Sequence, residues 1–260
     1  MSSRKRSTWL NAIAILMLIA GLGIGGLALA SSMGVWFGLW NFGRGFELLG
    51  IANSYGDLIA IVGAVVTVAV FVLAKVVGVG NGSQLTAMAL VGTLSAALAY
   101  YVPESFRPPE GADIPGIHDI STDTVNPPEF VAILPLRADA PNTTVYGGSP
   151  RMTPELLAAE QTRAYPDLKT VRLDEPPAAV FARALAAVEQ LGWELVDQDP
   201  ATGRIEATDT TFWFRFKDDI VIRIQPSGQG TIIDARSLSR VGVGDVGTNA
   251  RRLRAFFAAL

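Results

Sequence analysis

The sequence predicts an α+β protein in which three N-terminal transmembrane helices precede an antiparallel-sheet domain with helices on one face. Residues 1–102 are apolar and carry only seven charged side chains, whereas residues 103–150 hold nine of the fifteen prolines. From residue 151 onward, short alternating stretches are interleaved with helical periods. We therefore divide the chain into a membrane anchor, 1–102, an extended proline-rich segment, 103–150, and an α+β domain, 151–260.

Three apolar stretches are long enough to cross a bilayer core of about 30 Å. They run from Trp9 to about Ser31, over Leu58–Ala74 and over Leu85–Val102. A signal peptide is the alternative for the first, since Ala28-Leu-Ala30 resembles a cleavage site, but its apolar run is long for that class. The aromatic stretch 36–46 predicts a separate segment lying in the headgroup region.

Positive charges set the expected orientation. Arg4, Lys5 and Arg6 precede the first span, and Lys75 lies between the second and third. Both groups belong on the cytoplasmic side, which places the C-terminal domain on the outer, periplasmic side of a bacterial cytoplasmic membrane. The spans contain no ionisable residue, so they predict a plain anchor rather than an ion pathway.

The counts of charged residues and cysteines limit the kinds of partner that the protein could bind. Residues 1–102 carry five Lys/Arg against two Asp/Glu, and residues 103–260 carry sixteen against twenty-two. An acidic domain argues against nucleic acid as a partner. The chain has no cysteine, which excludes disulfides and thiolate sites. The lipid bilayer is the expected partner, and another envelope protein or an anionic small ligand stays open.

Residues typical of helix starts and ends predict three helices in the domain. Thr153 is an N-cap followed by Pro154, and that helix ends before Pro166. Asp174 is predicted to cap a second helix through Gly192, and a terminal helix begins at about residue 245.

Between these helices the sequence predicts strands. A tight turn is predicted at 201–203, and a bulge or bend is predicted at Asp218-Asp219. The predicted strands are Lys169–Leu173, Trp193–Asp197, Arg204–Thr208, Phe212–Ile224 and Thr231–Ser237.

Two regions are unusually rich in polar side chains: the ordered stretch 116–130 and the C-terminal stretch 231–260. His118, the only histidine, could act as a base or ligand with Asp119 or Asp123. The set is too small for an ordinary zinc site, and we predict neither a metal nor a cofactor. The other residues of a ligand-binding or structural polar cluster are Ser121, Asp218, Asp219, Arg223, Arg236, Ser237, Ser239, Arg240, Asp245, Asn249 and Arg252.

Three hypotheses compete for these residues. Ser121, Ser237 or Ser239 could complete a Ser/His/Asp group if the fold brings them to His118. The arginines around Arg236 and Arg240 could bind an anion or a lipid headgroup beside the terminal helix. Alternatively they pair with carboxylates of the domain, which we favour because acids outnumber bases.

The pairing hypothesis makes a structural prediction. Residues 116–124 should pack against the 236–249 turn, and Arg236 or Arg240 should meet Asp119 or Asp123. The literal G-x-G-x-x-G at 242–247 does not indicate a dinucleotide site, because no second βα unit follows it. Its glycines serve a turn, and Asp245 caps the helix.

Four motifs together carry a family resemblance: His118-Asp-Ile-Ser-Thr-Asp123, Asp218-Asp219, Arg236-Ser-Leu-Ser-Arg240 and Asp245-Val-Gly-Thr-Asn249. Over roughly residues 114–260 the chain resembles the domain-of-unknown-function family fourteen-ninety-nine, in a bacterial membrane-anchored form. Gly244 departs from the serine expected there, so a hydroxyl at that position is not essential. The resemblance implies the fold and its boundaries but no activity.

The sequence thus predicts a non-enzymatic binding or scaffolding module held at the membrane. The alternative from another class is an envelope hydrolase or metal-assisted enzyme that uses His118 with Asp119 or Asp123.

Overall fold

The computed structural model describes residues 3–149 and 152–260. It divides the chain into two compact units that meet in sequence at Arg107 and Pro108. Each unit is described by itself.

The first unit consists of three helices: α1 (Ser3–Trp36), α2 (Phe42–Val77) and α3 (Gly82–Glu104). All three are long and apolar enough to cross a membrane, as the sequence predicts. Glycine lets α1 and α3 approach closely, since a Cβ added at Gly92 would lie 2.3 Å from the carbonyl oxygen of Met17. Small residues of this kind are typical of packed membrane helices.

The prediction of a separate segment over 36–46 is wrong. Helix α1 continues to Trp36, and α2 already begins at Phe42. The side chain of Asn41 accepts a hydrogen bond from the backbone N–H of Arg44 at 3.0 Å, which caps α2 at its start. The aromatic residues Phe42 and Phe46 therefore belong to the second helix.

The second unit is built on one antiparallel sheet. Its strands are β1 (Asp119–Ser121), β2 (Val171–Leu173), β3 (Glu194–Asp199), β4 (Arg204–Thr210), β5 (Lys217–Ser227) and β6 (Gly230–Ser239).

The sheet order is β1-β6-β5-β4-β3, and β2 also pairs with β6. Strand β1 lies inside the proline-rich segment, where the sequence predicts no strand. It has only three residues, too few for alternation to be recognised, and its pairing with β6 supplies the partners of its backbone groups.

Helices α4 (Pro154–Ala164), α5 (Pro177–Gln190) and α6 (Thr248–Ala259) complete the unit. Strands and helices contribute to one apolar core between the sheet and α5 and α6. Its fully or almost fully buried members include Val180, Ala184, Val188, Ile205, Ile220, Ile222, Ile233, Ala235, Leu253 and Phe256. The predicted α+β fold with an antiparallel sheet is confirmed.

The other face of the sheet is covered by an irregular segment, residues 122–146, which we call the strap. It contains one 3₁₀ turn, Leu134–Arg137. Its side chains Phe130 and Ile133 pack on Val221 and Leu238 of the sheet. The sheet is therefore buried on both faces, and polar side chains pointing away from the helices are enclosed as well.

The predicted bulge at Asp218-Asp219 is wrong. Asp218 pairs with Ser239 and Asp219 with Leu238 in unbroken register, because arginines neutralise both carboxylates inside the fold. The register shift lies instead in β3, between Leu195 and Asp197. The long predicted strand begins at Lys217 rather than Phe212, and Thr211–Phe216 forms the β4–β5 connection.

The structure confirms the helix cap predicted at Thr153 and contradicts the one predicted at Asp174. Thr153 accepts a hydrogen bond from the N–H of Leu156 and caps α4 as predicted. Asp174 is not the cap of α5, whose N-cap is Pro176. A residue that precedes a proline disfavours the helical conformation, so Pro177 keeps the helix from extending backward.

Candidate functional site

The polar residues singled out in the sequence lie on opposite faces of the sheet. Successive side chains of a strand point to opposite sides, so Asp218 faces the helices and Asp219 faces the strap. The same alternation separates Ser237 and Ser239 from Arg236 and Arg240. The structure therefore forms two polar networks, which we call the helix-face network and the strap-face network.

Arg236 of the strap-face network donates hydrogen bonds through all three of its guanidinium nitrogens. Its Nε and Nη2 donate to the two carboxylate oxygens of Asp119 at 2.9 and 2.7 Å. The remaining bonds go to the strap carbonyl oxygens of Pro128 at 3.2 Å and Thr144 at 2.8 Å, and the guanidinium lies against the ring of Tyr146. The predicted meeting of Arg236 with Asp119 is confirmed, and both side chains are buried.

Asp219 joins two arginines in the same network. Its carboxylate accepts hydrogen bonds from Arg137 at 2.5 Å, from Arg240 at 2.8 and 2.9 Å and from the Thr208 hydroxyl at 2.7 Å. Burial pushes the pKa of Asp219 upward, but the bonds from Arg240, Thr208 and Arg137 outweigh it and the pKa lies below its usual value. Burial lowers the pKa of Arg137. Arg240 thus pairs with Asp219 rather than with Asp119 or Asp123.

Arg223 forms a second junction. It donates to Asp123 of the strap at 2.9 Å and to Asp234 of β6 at 3.0 Å. Asp234 also accepts from the hydroxyls of Thr122 and Thr170. Asp119, Asp123 and Asp219 therefore each have an arginine partner within the domain.

Sequence reasoning missed several members of this network, among them Glu206 and Arg137. Glu206 is fully buried and accepts the backbone N–H groups of Val131, Ala132 and Ile133. The sequence pattern could have identified Glu206, because this residue stands between the apolar residues Ile205 and Ala207 in β4. Arg137 gave no comparable signal, since it lies in the irregular strap.

The helix-face network is centred on Arg252 and Asn249 of α6. Arg252 donates to Asp218 at 2.7 Å and to Asp209 at 2.8 Å. Asn249 accepts the Ser237 hydroxyl at 2.6 Å and donates to the Ser239 hydroxyl oxygen at 2.9 Å. These bonds fasten the terminal helix to β5 and β6.

Asp245 serves the start of α6. Helix α6 begins at Thr248 with Gly247 as its N-cap, so Asp245 is not the predicted cap residue. Its carboxylate nevertheless accepts the backbone N–H groups of Gly247 and Asn249, each at 2.8 Å. Burial raises the pKa of Asp245, while these two bonds oppose the change. The carboxylate thus satisfies N–H groups that would otherwise favour an external anion.

His118 lies where the strap-side segment meets the C-terminal turn. Its Nδ1 is 3.1 Å from the carbonyl oxygen of Val243, and its own carbonyl accepts from the N–H of Ser239 and the amide of Asn249. The predicted packing of 116–124 against 236–249 is therefore present.

No Ser/His/Asp group forms around that histidine. Ser121 donates its hydroxyl to the carbonyl oxygen of Asp123, and the serines of β6 bond to Asn249. Within residues 3–149 and 152–260, no hydrogen bond joins the imidazole to a hydroxyl or a carboxylate, and no group of three or more His, Asp or Glu side chains could hold a metal ion.

A shallow depression of about 270 Å³ lies beside the helix-face network. Small-molecule sites usually occupy about 300–1,000 Å³ and enclose most of the ligand. This depression is smaller and open. It is lined by Leu191, Trp193, Asp209, Thr248, Arg251, Arg252 and Ala255.

The fold and its buried ion pairs define a compact α+β domain that follows three apolar helices. Comparison with protein families matches residues 119–260 to the family described as protein of unknown function (DUF1499). The match begins at the first residue of β1 and covers the whole sheet, and the chain belongs to this family. A comparison with curated proteins gives no match.

Removing Arg236 should destabilise the domain strongly. Arg236→Ala leaves Asp119 buried without its partner, and we expect a loss of about 3–5 kcal/mol in the free energy of unfolding. Arg254→Ala is the matched control, since Arg254 makes the same two-bond contact with Asp167 on an exposed surface and should cost about 0–1 kcal/mol. Urea unfolding of the 108–260 unit measures both, and equal losses would contradict the assignment.

Asp219 should make the stability of the domain sensitive to acid. Its pKa is lower in the folded state, so the unfolded chain binds the proton more tightly. The stabilisation is complete above the unfolded value of about 3.9 and is lost as the pH falls through the folded value. Urea unfolding between neutral pH and acid should show this decline. A free energy that stays constant or rises on acidification would contradict it.

Proposed function

We propose that this protein is a non-enzymatic binding or scaffolding module, displayed on the outer side of a bacterial cytoplasmic membrane. The observation that carries the proposal is that the side chains with reactive groups are bonded to other groups of the domain. The carboxylates and arginines around Asp119, Asp219 and Arg236 bond to one another inside the domain. The same holds for the serines of β6, which bond to Asn249.

The surface supports binding of a large partner rather than a small one. The shallow depression beside α6 is smaller than an ordinary ligand pocket. The guanidinium groups of the anion hypothesis all bond to carboxylates of the domain; they belong to Arg223, Arg236, Arg240 and Arg252. The Asp245 carboxylate accepts the backbone N–H groups of Gly247 and Asn249 at the start of α6. Recognition by exposed loops is therefore the mode that we favour.

The orientation rests on the basic residues around the three apolar helices. Arg4, Lys5, Arg6 and Lys75 favour the cytoplasmic side, and an odd number of crossings then puts the domain outside. An enzyme reporter that is active only after export should be active when fused after Leu260. The same reporter fused after Gly80, between α2 and α3, should be inactive. The reverse pattern would overturn the proposed location.

The non-enzymatic part of the proposal is tested at His118. Its imidazole has one bond, to the carbonyl oxygen of Val243, so His118→Ala should fold normally. In a strain without the native gene, we expect this variant to correct the defect caused by the deletion as fully as the wild-type chain does. Arg236→Ala, which should be strongly destabilised, is the control that shows whether the assay responds to loss of the folded domain. Failure of folded His118→Ala to complement would instead favour the hydrolase alternative.

A further inference from the structure

The β4–β5 connection, Thr211–Phe216, carries four aromatic residues in five positions: Phe212, Trp213, Phe214 and Phe216 surround Arg215. We call it the aromatic loop. It is ordered by its own bonds, since the N–H of Thr211 donates to the carbonyl oxygen of Phe216 and the N–H of Phe216 donates to the Thr211 hydroxyl. Phe214 stacks on Phe216 with ring centres 5.8 Å apart.

The loop exposes apolar and basic groups together. The side chain of Phe212 is 68 % exposed, and Arg215 and Lys217 are exposed beside it. A neighbouring loop adds Val243, which is 84 % exposed. The two loops are adjacent because the N–H of Arg240 donates to the carbonyl oxygen of Lys217.

This combination is unusual for the domain as a whole. Residues 103–260 carry sixteen basic against twenty-two acidic side chains, yet the aromatic loop and the residue after it, Lys217, contain two bases and no acid. Phenylalanine and tryptophan favour the boundary between headgroups and acyl chains. Each Arg or Lys close to an anionic bilayer strengthens association about fivefold.

The chain itself brings a membrane within reach. The loops lie at the end of the sheet where the domain begins, because Ile117 bonds to Asp245 and His118 bonds to Ser239. Residues 105–116 connect this end to helix α3. The same chain carries three helices that are long and apolar enough to cross a membrane, so a bilayer is the surface to which this domain is tethered.

We infer that the aromatic loop and Val243 form a membrane-docking surface that contacts anionic phospholipid. Phe212 and Val243 enter the boundary below the headgroups, and Arg215 and Lys217 pair with lipid phosphates. The inference requires the three apolar helices to lie in a bilayer. It does not depend on which side of the membrane the domain occupies, so it can fail while the proposed function holds, and the reverse.

The absence of cysteine makes a sharp test practicable. Val243→Cys in the full chain carries one environment-sensitive fluorophore, and Gln229→Cys carries it in the β5–β6 turn at the far end of β5, about 30 Å away. Both proteins are reconstituted in vesicles of phosphatidylcholine with phosphatidylglycerol that contain a lipid quencher near the headgroups. We expect quenching of the label at position 243 and none at position 229.

Two further sets of substitutions distinguish docking of the aromatic loop from simple proximity to the connecting segment 105–116. Phe212→Ser should reduce the quenching at position 243, and so should the double change Arg215→Asn with Lys217→Gln. Asparagine suits position 215 because its backbone has φ of 55°. Val125→Ser is the control for loss of an exposed apolar side chain elsewhere, since Val125 is 95 % exposed, and it should leave the quenching unchanged.

Several outcomes would overturn the inference. One is an unquenched label at position 243. Another is quenching that persists in full after both the aromatic and the basic changes. A third is quenching that is equal with and without phosphatidylglycerol. A label shielded from a water-soluble quencher in native membranes but not in the purified vesicles would assign the surface to a protein partner instead.

Discussion

The buried pairing of arginine with carboxylate between the sheet and the strap is the interaction on which the rest of the domain depends. The strap forms no ladder of its own, so its carbonyl groups need donors from elsewhere. Arg236 supplies them to Pro128 and Thr144, and Arg240 supplies one to Leu136. The charges that fix these guanidinium groups, Asp119 and Asp219, are themselves buried. Removing either side would leave these strap carbonyl groups without donors.

Such a network specifies a conformation more than it adds stability. Desolvation of two charges offsets most of their attraction, and well-packed apolar residues of the same volume are often as stable. Apolar residues, however, could not direct a chain without secondary structure to one position on a sheet. In this domain the directional bonds of Arg137, Arg236 and Arg240 do so. The polar residues of the strap-face network thus hold the strap in place, and those of the helix-face network hold α6.

How much the sequence could predict follows from the length and regularity of each element. The three apolar helices, the antiparallel sheet and the cap at Thr153 have local signals and were predictable. Strand β1 has three residues and pairs only through tertiary contact, so it carried no period. Asp218-Asp219 suggested a bend because two adjacent charges are rare in a buried strand. Only the positions of Arg240 and Arg252, on opposite faces, explain why the strand continues.

The division of the charged residues between buried and exposed positions also changes what the net charge of the domain implies. Several arginines, such as Arg137, Arg236 and Arg252, lie inside the domain beside carboxylates and contribute little to its surface. The buried charges offset one another inside the domain, so the exposed residues set the charge of its surface. Basic groups that are exposed, such as Arg215 and Lys217, then stand out locally although the domain is acidic overall. Net charge alone therefore excludes a broad basic surface but says nothing against one small basic and aromatic loop.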